Sequence, residues 1–149
     1  MTITIQKLKP AGLNQFSELL DVFEEAFDRV SFNRPPQSYW QELLQRDTVW
    51  VFAALVDEQV AGGLIAYVLP TYSSQRPTVY LYDLAVRSSC QRRGIGRQLL
   101  TTLTQHARSV GCSDVFVQTD ADDAEAIAFY QATGGQAQGV VHFTYPLTP

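Results

Sequence analysis

Chemistry is concentrated in the stretch Val79 to Gly96, which reads V-Y-L-Y-D-L-A-V-R-S-S-C-Q-R-R-G-I-G. A β-like run ends in a polar turn, and Gly94 and Gly96 then open a long amphipathic segment. A helix start of this kind holds anions, because its first N–H groups lack intrahelical acceptors and the helix dipole favours negative charge. Arg87, Arg92, Arg93 and Arg97 surround the turn and can add charge-assisted contacts. The pattern predicts a ligand that carries phosphate. On the strand before the turn, Asp83 places a carboxylate in the middle of an apolar run. That is costly unless the group is paired or faces a polar cleft. Strict alternation would put Tyr80, Tyr82, Leu84 and Val86 on one face and Leu81, Asp83 and Ala85 on the other. A second carboxylate group, Asp120, Asp122, Asp123 and Glu125, lies further on. Asp122 followed by Glu125 is close to a capping box, while Asp120 and Asp123 suit a cleft for a polycation.

Two phosphate motifs are excluded. A P-loop needs a Gly-Lys pair, and the chain has none. The dinucleotide fingerprint fails at its third glycine, where Leu99 stands, and it lies too late in the chain. What remains, Gln91-Arg92-Arg93-Gly94-Ile95-Gly96, resembles the Q/R-x-x-G-x-G/A signature of the GNAT superfamily of N-acetyltransferases, which use acetyl-coenzyme A.

The elements that must position these residues follow from periodicity. Thr2 to Lys9 alternates as a strand and stops at Pro10. Leu13, Phe16, Leu19, Leu20, Phe23 and Phe27 recur at helical spacing, predicting a helix over Leu13 to Phe27. A short helix from Ser38 to about Gln45, capped by Ser38, follows the break at Arg34-Pro35-Pro36. Val49 to Val56 and Val60 to Leu69 form a hairpin around Asp57-Glu58-Gln59, with Gly62-Gly63 marking a bulge. Val79 to Val86 is the fourth strand, and Gly94 to Val110 is a long helix closed by Gly111. Val115 to Thr119, a helix from Asp123 to Ala132 closed by Gly134-Gly135, and a last strand over Val140 to Tyr145 complete the chain. This order matches the GNAT fold along residues 1–149, read as a single domain. The expectation is α/β (α+β), a mixed central sheet of six to seven strands flanked by about four helices.

Bulk properties narrow the functional classes. A chain of 149 residues with 46% hydrophobic residues suits one soluble core. No apolar run reaches membrane-spanning length, and the N-terminus lacks a signal-peptide h-region. Cys90 and Cys112 are too few for a disulfide framework, and no metal-ligand spacing appears. A cytoplasmic protein is expected. The net charge of −4 argues against nucleic acid and anionic membranes as partners and is compatible with a cationic substrate. His106, among polar residues of the long helix, is expected to face solvent, and His142 receives no role.

The resemblance to GNAT enzymes implies roles for particular residues. Leu84, Ala85 and Val86, with the turn Gln91 to Arg97, would bind acetyl-coenzyme A. A backbone N–H at Val86 or Ala85 would polarise the thioester carbonyl. Tyr130 on the helix after the fifth strand would protonate the leaving thiolate; a phenol near pKa ~10 is comparable with a thiol near ~8.5. Asp83 would act as base or orient the amine. Within the superfamily, Tyr80-Leu81-Tyr82-Asp83-Leu84-Ala85-Val86 and Val115-Phe116-Val117-Gln118-Thr119-Asp120 resemble the aminoglycoside 3-N-acetyltransferases. That likeness implies that Asp120, with Asp83 and Asp123, contacts a cationic aminosugar. The chain departs from the group at Ala121, Asp122 and Ala124, all in the acceptor turn. Other readings are a polyamine or protein-amine acetyltransferase and a non-catalytic acyl-coenzyme A binding protein. Relatives of this kind often form homodimers, for which the apolar C-terminal strand would serve.

Overall fold

The computed structural model describes residues 2–28 and 33–148. By proximity along the backbone these fall into two compact units, 1–118 and 119–149.

In the first unit, β1 (Ile3–Lys7), β2 (Val49–Val56), β3 (Gln59–Leu69), β4 (Thr78–Val86) and β5 (Asp114–Val117) form one sheet in chain order. The first three pairings are antiparallel and β4 runs parallel to β5. α1 (Leu13–Ala26) and α2 (Gln37–Gln45) join β1 to β2, and α3 (Ile95–Ser109) joins β4 to β5. Ser38 lies inside α2 and does not cap it; Pro36 holds the N-cap position. The β2–β3 turn is tighter than expected. Asp57 and Glu58 both take left-handed backbone (φ 49° and 70°), so Gln59 already pairs with Val56. Such a turn matches the twist of the strands it joins.

The sheet is covered on both faces. Phe16, Leu19, Leu20 and Phe23 of α1 pack with Trp40 and Leu44 of α2 against Val49, Val51, Ala53 and Leu55. The alternate residues of β2, Trp50 and Phe52, meet α3 on the other face, where Leu99 and Leu103 are fully buried. His106 belongs to this second layer and does not point to solvent. Its ring lies edge-on to Trp50 at 4.6 Å and to Phe52 at 5.8 Å. Burial, and secondarily Lys7, lowers its pKa below the ordinary histidine value.

Gly62 and Gly63 are sites of close approach. A Cβ on Gly63 would stand 2.5 Å from Leu19 Cδ1, and one on Gly62 would stand 2.6 Å from the Ala85 carbonyl oxygen. The neighbouring bulge falls between Ala54 and Leu55, opposite an extra Ala61. A second register shift has greater consequence. Ile65 pairs with Asp83 but Ala66 pairs with Leu81, so Tyr82 is an inserted residue. The insertion breaks the alternation expected for β4. Tyr80, Asp83 and Ala85 share the α1/α2 side with Tyr67, Ile65 and Gly63, and Leu81 and Leu84 share the α3 side.

The second unit contains α4 (Ala124–Ala132) and an irregular C-terminal segment. The strand expected over Val140 to Tyr145 is absent, so the described residues contain five strands and not six to seven. Its apolar alternation is real but has no ladder partner; Val141, Phe143 and Tyr145 are 76–83% exposed. A lone strand leaves its backbone groups to solvent, and alternation without a neighbour does not make a sheet.

Candidate active site

Three local structures carry the expected residues. The first is the free side of β4. Strand β5 pairs with β4 from Thr78↔Asp114 to Leu81↔Val117 and goes no further, whereas β3 follows β4 to Val86. Among the described residues, the β4–β5 ladder ends at Leu81, short of the last stretch of β4. The Arg87 amide donates to the Ala61 carbonyl at 2.7 Å, toward β3. Since amides of an extended chain alternate in direction, the Val86 N–H points to the open side. Of the two amides named from the sequence, that of Val86 and not that of Ala85 faces this side.

The second is the turn into α3. A one-turn 3₁₀ segment, Ser88–Cys90, leads to Arg92 and Gly94, both left-handed (φ 65° and 80°). Gly94 is the N-cap, and no side chain caps the helix. The first intrahelical bond is Gln98 N–H to Gly94 C=O at 3.0 Å, so the amides of Ile95 and Gly96 have no acceptor within the helix. A Cβ at Gly94 would meet no atom within 4 Å, so the space above the helix start is open. Ile95 is buried and anchors the turn, while Arg92, Arg93 and Arg97 are exposed beside it. Two residues have other duties. The Gln91 side-chain amide donates to the Val86 carbonyl at 3.2 Å, pinning turn to strand end. Arg87, expected near the anion, donates from Nε to the Val60 carbonyl at 2.9 Å, and its guanidinium lies 3.9 Å from Glu25.

The third is the face around Asp83, where sequence reading missed the neighbours. Tyr82 packs edge-on against both Tyr67 (5.4 Å) and Tyr80 (5.5 Å). Tyr80 stacks flat on Phe116 at 4.7 Å and donates its hydroxyl to Gln118 at 3.0 Å. Burial raises the pKa of Tyr67 and of Tyr80, and the nearby Tyr82 and Asp83 raise both further. The signal was present as tyrosines at 80 and 82, but their convergence with Tyr67 required the register of β3 and the insertion at Tyr82.

Asp120, Asp123 and Tyr130 belong to the second unit. Asp123 is the N-cap of α4, its carboxylate accepting from the Ala126 amide at 3.1 Å. The cap is thus one residue later than the capping-box pattern suggested. The Asp120 carbonyl accepts from the Asp123 amide at 3.0 Å, and the Asp120 side chain is exposed. Tyr130 is half-buried with its ring edge-on to Phe129 at 5.1 Å. The described residues contain no helix long and apolar enough to cross a membrane and no three-residue cluster suited to a metal.

A mixed sheet with a parting β4–β5 pair, followed by an uncapped glycine-started helix, defines an α/β protein of the N-acetyltransferase class. The model of the acetyltransferase (GNAT) family matches residues 15–134, and the chain belongs to that family. It is 38% identical to an aminoglycoside acetyltransferase from an uncultured soil metagenomic sample, crystallised in complex with sisomicin. That match has a TM-score of 0.95 and covers 98% of this chain and 97% of the other. It is 28% identical to the aminoglycoside N(6')-acetyltransferase type 1 of Stenotrophomonas maltophilia, over 98% of this chain and 95% of the relative. A third likeness is one of fold alone: at 19% identity and TM-score 0.82, an aminoglycoside acetyltransferase bound to a coenzyme A bisubstrate analogue. The protein is an N-acetyltransferase of the GNAT family.

Asp123 offers a test that separates capping from ligand contact. Asp123→Ala is expected to destabilise the protein by ~1 kcal/mol in urea unfolding, and Asp123→Asn by only a few tenths, since asparagine caps equally well. A loss of amine affinity in the Asn variant at unchanged stability would add a charge contact to the cap.

Proposed function

We propose that this protein acetylates a primary amine of a cationic aminosugar, an aminoglycoside, by direct attack while both substrates are bound. The supporting observation is the full-length likeness to an aminoglycoside acetyltransferase that binds sisomicin, in a chain that sets Asp83 among tyrosines next to the open side of β4. The motifs around Asp83 and Asp120 favour the 3-amino group of the ring. The similarity to an N(6')-acetyltransferase favours the 6'-amino group as the second reading. Polyamines and protein amines are the remaining acceptors. A reducing cytoplasm is the proposed compartment, in keeping with two free thiols at Cys90 and Cys112.

Acetyl-coenzyme A supplies an activated thioester. The α3 start, with Ile95 and Gly96 amides, open space at Gly94 and the arginines Arg92, Arg93 and Arg97, fits its pyrophosphate. Leu84 to Val86 would carry the pantetheine along the open strand side, with the Val86 N–H toward the carbonyl oxygen. Asp83 orients the amine and accepts its proton as the N–C bond forms and the C–S bond breaks. Tyr130 gives its phenolic proton to the departing sulfur. Asp120 and Asp123 neutralise further ammonium groups. A homodimer belongs to the same reading: a second copy would cover exposed Val141, Phe143 and Tyr145. Light scattering should then give twice the 16.7 kDa chain mass, and a single-chain mass would remove the dimer.

Thiol release from acetyl-coenzyme A should be fast with gentamicin or kanamycin and slow with spermidine or a lysine peptide, and NMR of the product locates the acetyl group. Preference for spermidine or the peptide would reject the aminoglycoside assignment. Gly94→Glu is expected to weaken coenzyme A at least ~10-fold by calorimetry, as bulk and negative charge enter the anion site. Unchanged affinity would refute the cradle. Tyr130→Phe should lower kcat by ~10²–10⁴-fold while coenzyme affinity stays the same. A fully active Phe variant would remove Tyr130 from the mechanism.

A further inference from the structure

The tyrosines around Asp83 form a surface that acetyl transfer itself does not require. Tyr67, Tyr80, Tyr82 and Phe116 make a continuous ring chain, each contact between 4.7 and 5.5 Å. Buried rings in contact usually serve packing, and Phe116, Tyr80 and Tyr67 do so in part. Tyr82 differs. It is the inserted residue of the β4 irregularity, and it is 53% exposed while touching two other rings. A β-bulge re-aims a side chain at the cost of one ladder position, and bulges recur beside functional sites. Here the insertion keeps Asp83 on the side of Tyr80 and Tyr67, which plain alternation would deny it.

We propose that Tyr82, backed by Tyr67 and Tyr80, is a specificity-determining aromatic wall that receives a protonated, non-reacting ammonium group of the acceptor beside Asp83. The assignment rests on the amine-acetyltransferase reading above and names how the same site selects its substrate. An ammonium over a ring face is attracted by the ring's electron-rich centre, and a neighbouring carboxylate strengthens the same field. Burial first, and then Tyr82 and Asp83, raises the pKa of the Tyr67 and Tyr80 phenols, in keeping with acidic groups close to both rings. A carboxylate alone would select any hydrogen-bonding cation. Rings beside it extend selection to rigid, polycationic molecules with an apolar framework, because they also stack on the carbon skeleton.

Hexamethonium, a bis-quaternary ammonium with no N–H, separates ring recognition from hydrogen bonding to carboxylates. Saturation-transfer NMR on its methyl groups reads binding without any turnover. Wild-type protein should bind it, and it should compete with kanamycin. Tyr82→Ala should raise both the hexamethonium Kd and the kanamycin KM by roughly 3- to 30-fold, and Tyr82→Phe should restore both. Coenzyme A affinity, read in parallel, should not change in either variant. Absence of hexamethonium binding, or a kanamycin KM unaffected by Tyr82→Ala in an active enzyme, would overturn the wall. Hexamethonium binding lost in Tyr82→Ala but without amine-dependent thiol release would leave the wall standing and sink the acetyltransferase acceptor reading instead.

Discussion

Strand β4 is held on one side along its full length and on the other for less than half of it. The ladder to β3 runs from Thr78 to Val86, while the ladder to β5 stops at Leu81. Extended backbone left without a partner must find acceptors and donors elsewhere, in water or in a ligand. That constraint organises the first unit. The chain leaves the end of this strand at Val86, turns through Arg92 and Gly94, and begins α3 with the Ile95 and Gly96 amides lacking an acceptor within the helix. Strand edge and helix start are therefore consecutive anchoring surfaces on one short segment. Gln91 fastens them by donating to the Val86 carbonyl.

The surroundings are arranged to keep that segment rigid. Ile95, Leu99 and Leu103 root α3 in the sheet, and Glu25 of α1 ties the Ser88 hydroxyl at 2.9 Å and faces Arg87. Gly63 allows Leu19 of α1 to sit directly on the sheet, so α1 and the turn share a fixed frame. Surface ion pairs such as Glu25–Arg87 add little by themselves. Joined to a serine bond and to the bond from Arg87 Nε to the Val60 carbonyl, the pair fixes a direction more than it adds stability.

Much of this was legible in the chain. The helical spacing of Phe16, Leu19, Leu20 and Phe23 named the core face of α1, and the glycines at 94 and 111 marked the ends of α3. The turn into α3 could be read because its requirements are local: a strand end followed by glycines at 94 and 96 that open a helix. The face of Asp83 could not. Side-chain direction on a strand depends on register with its neighbour, and one inserted residue at Tyr82 inverted the expectation beyond it. His106 failed for a related reason, since its helical neighbours are polar while its partners, Trp50 and Phe52, come from a distant strand. Alternation in Val140 to Tyr145 was legible as a pattern, but a pattern specifies a strand only when a ladder is available. Arg87 illustrates a further limit: charge near a turn does not say which acceptor claims it.

The division of labour within β4 bears on how such a protein changes over generations. On the proposed reading, the donor carbonyl is met by main-chain atoms at Val86 and the amine by side chains at Tyr82 and Asp83, a few residues away on the same strand. Main-chain geometry survives most substitutions, whereas the chemistry of positions 82 and 83 is replaced by single codon changes. A lineage built on this strand can exchange one amine for another while its donor grip is inherited intact. Drift in acceptor preference then needs only a change of side chain, whereas the main-chain contact at Val86 lasts as long as the strand does.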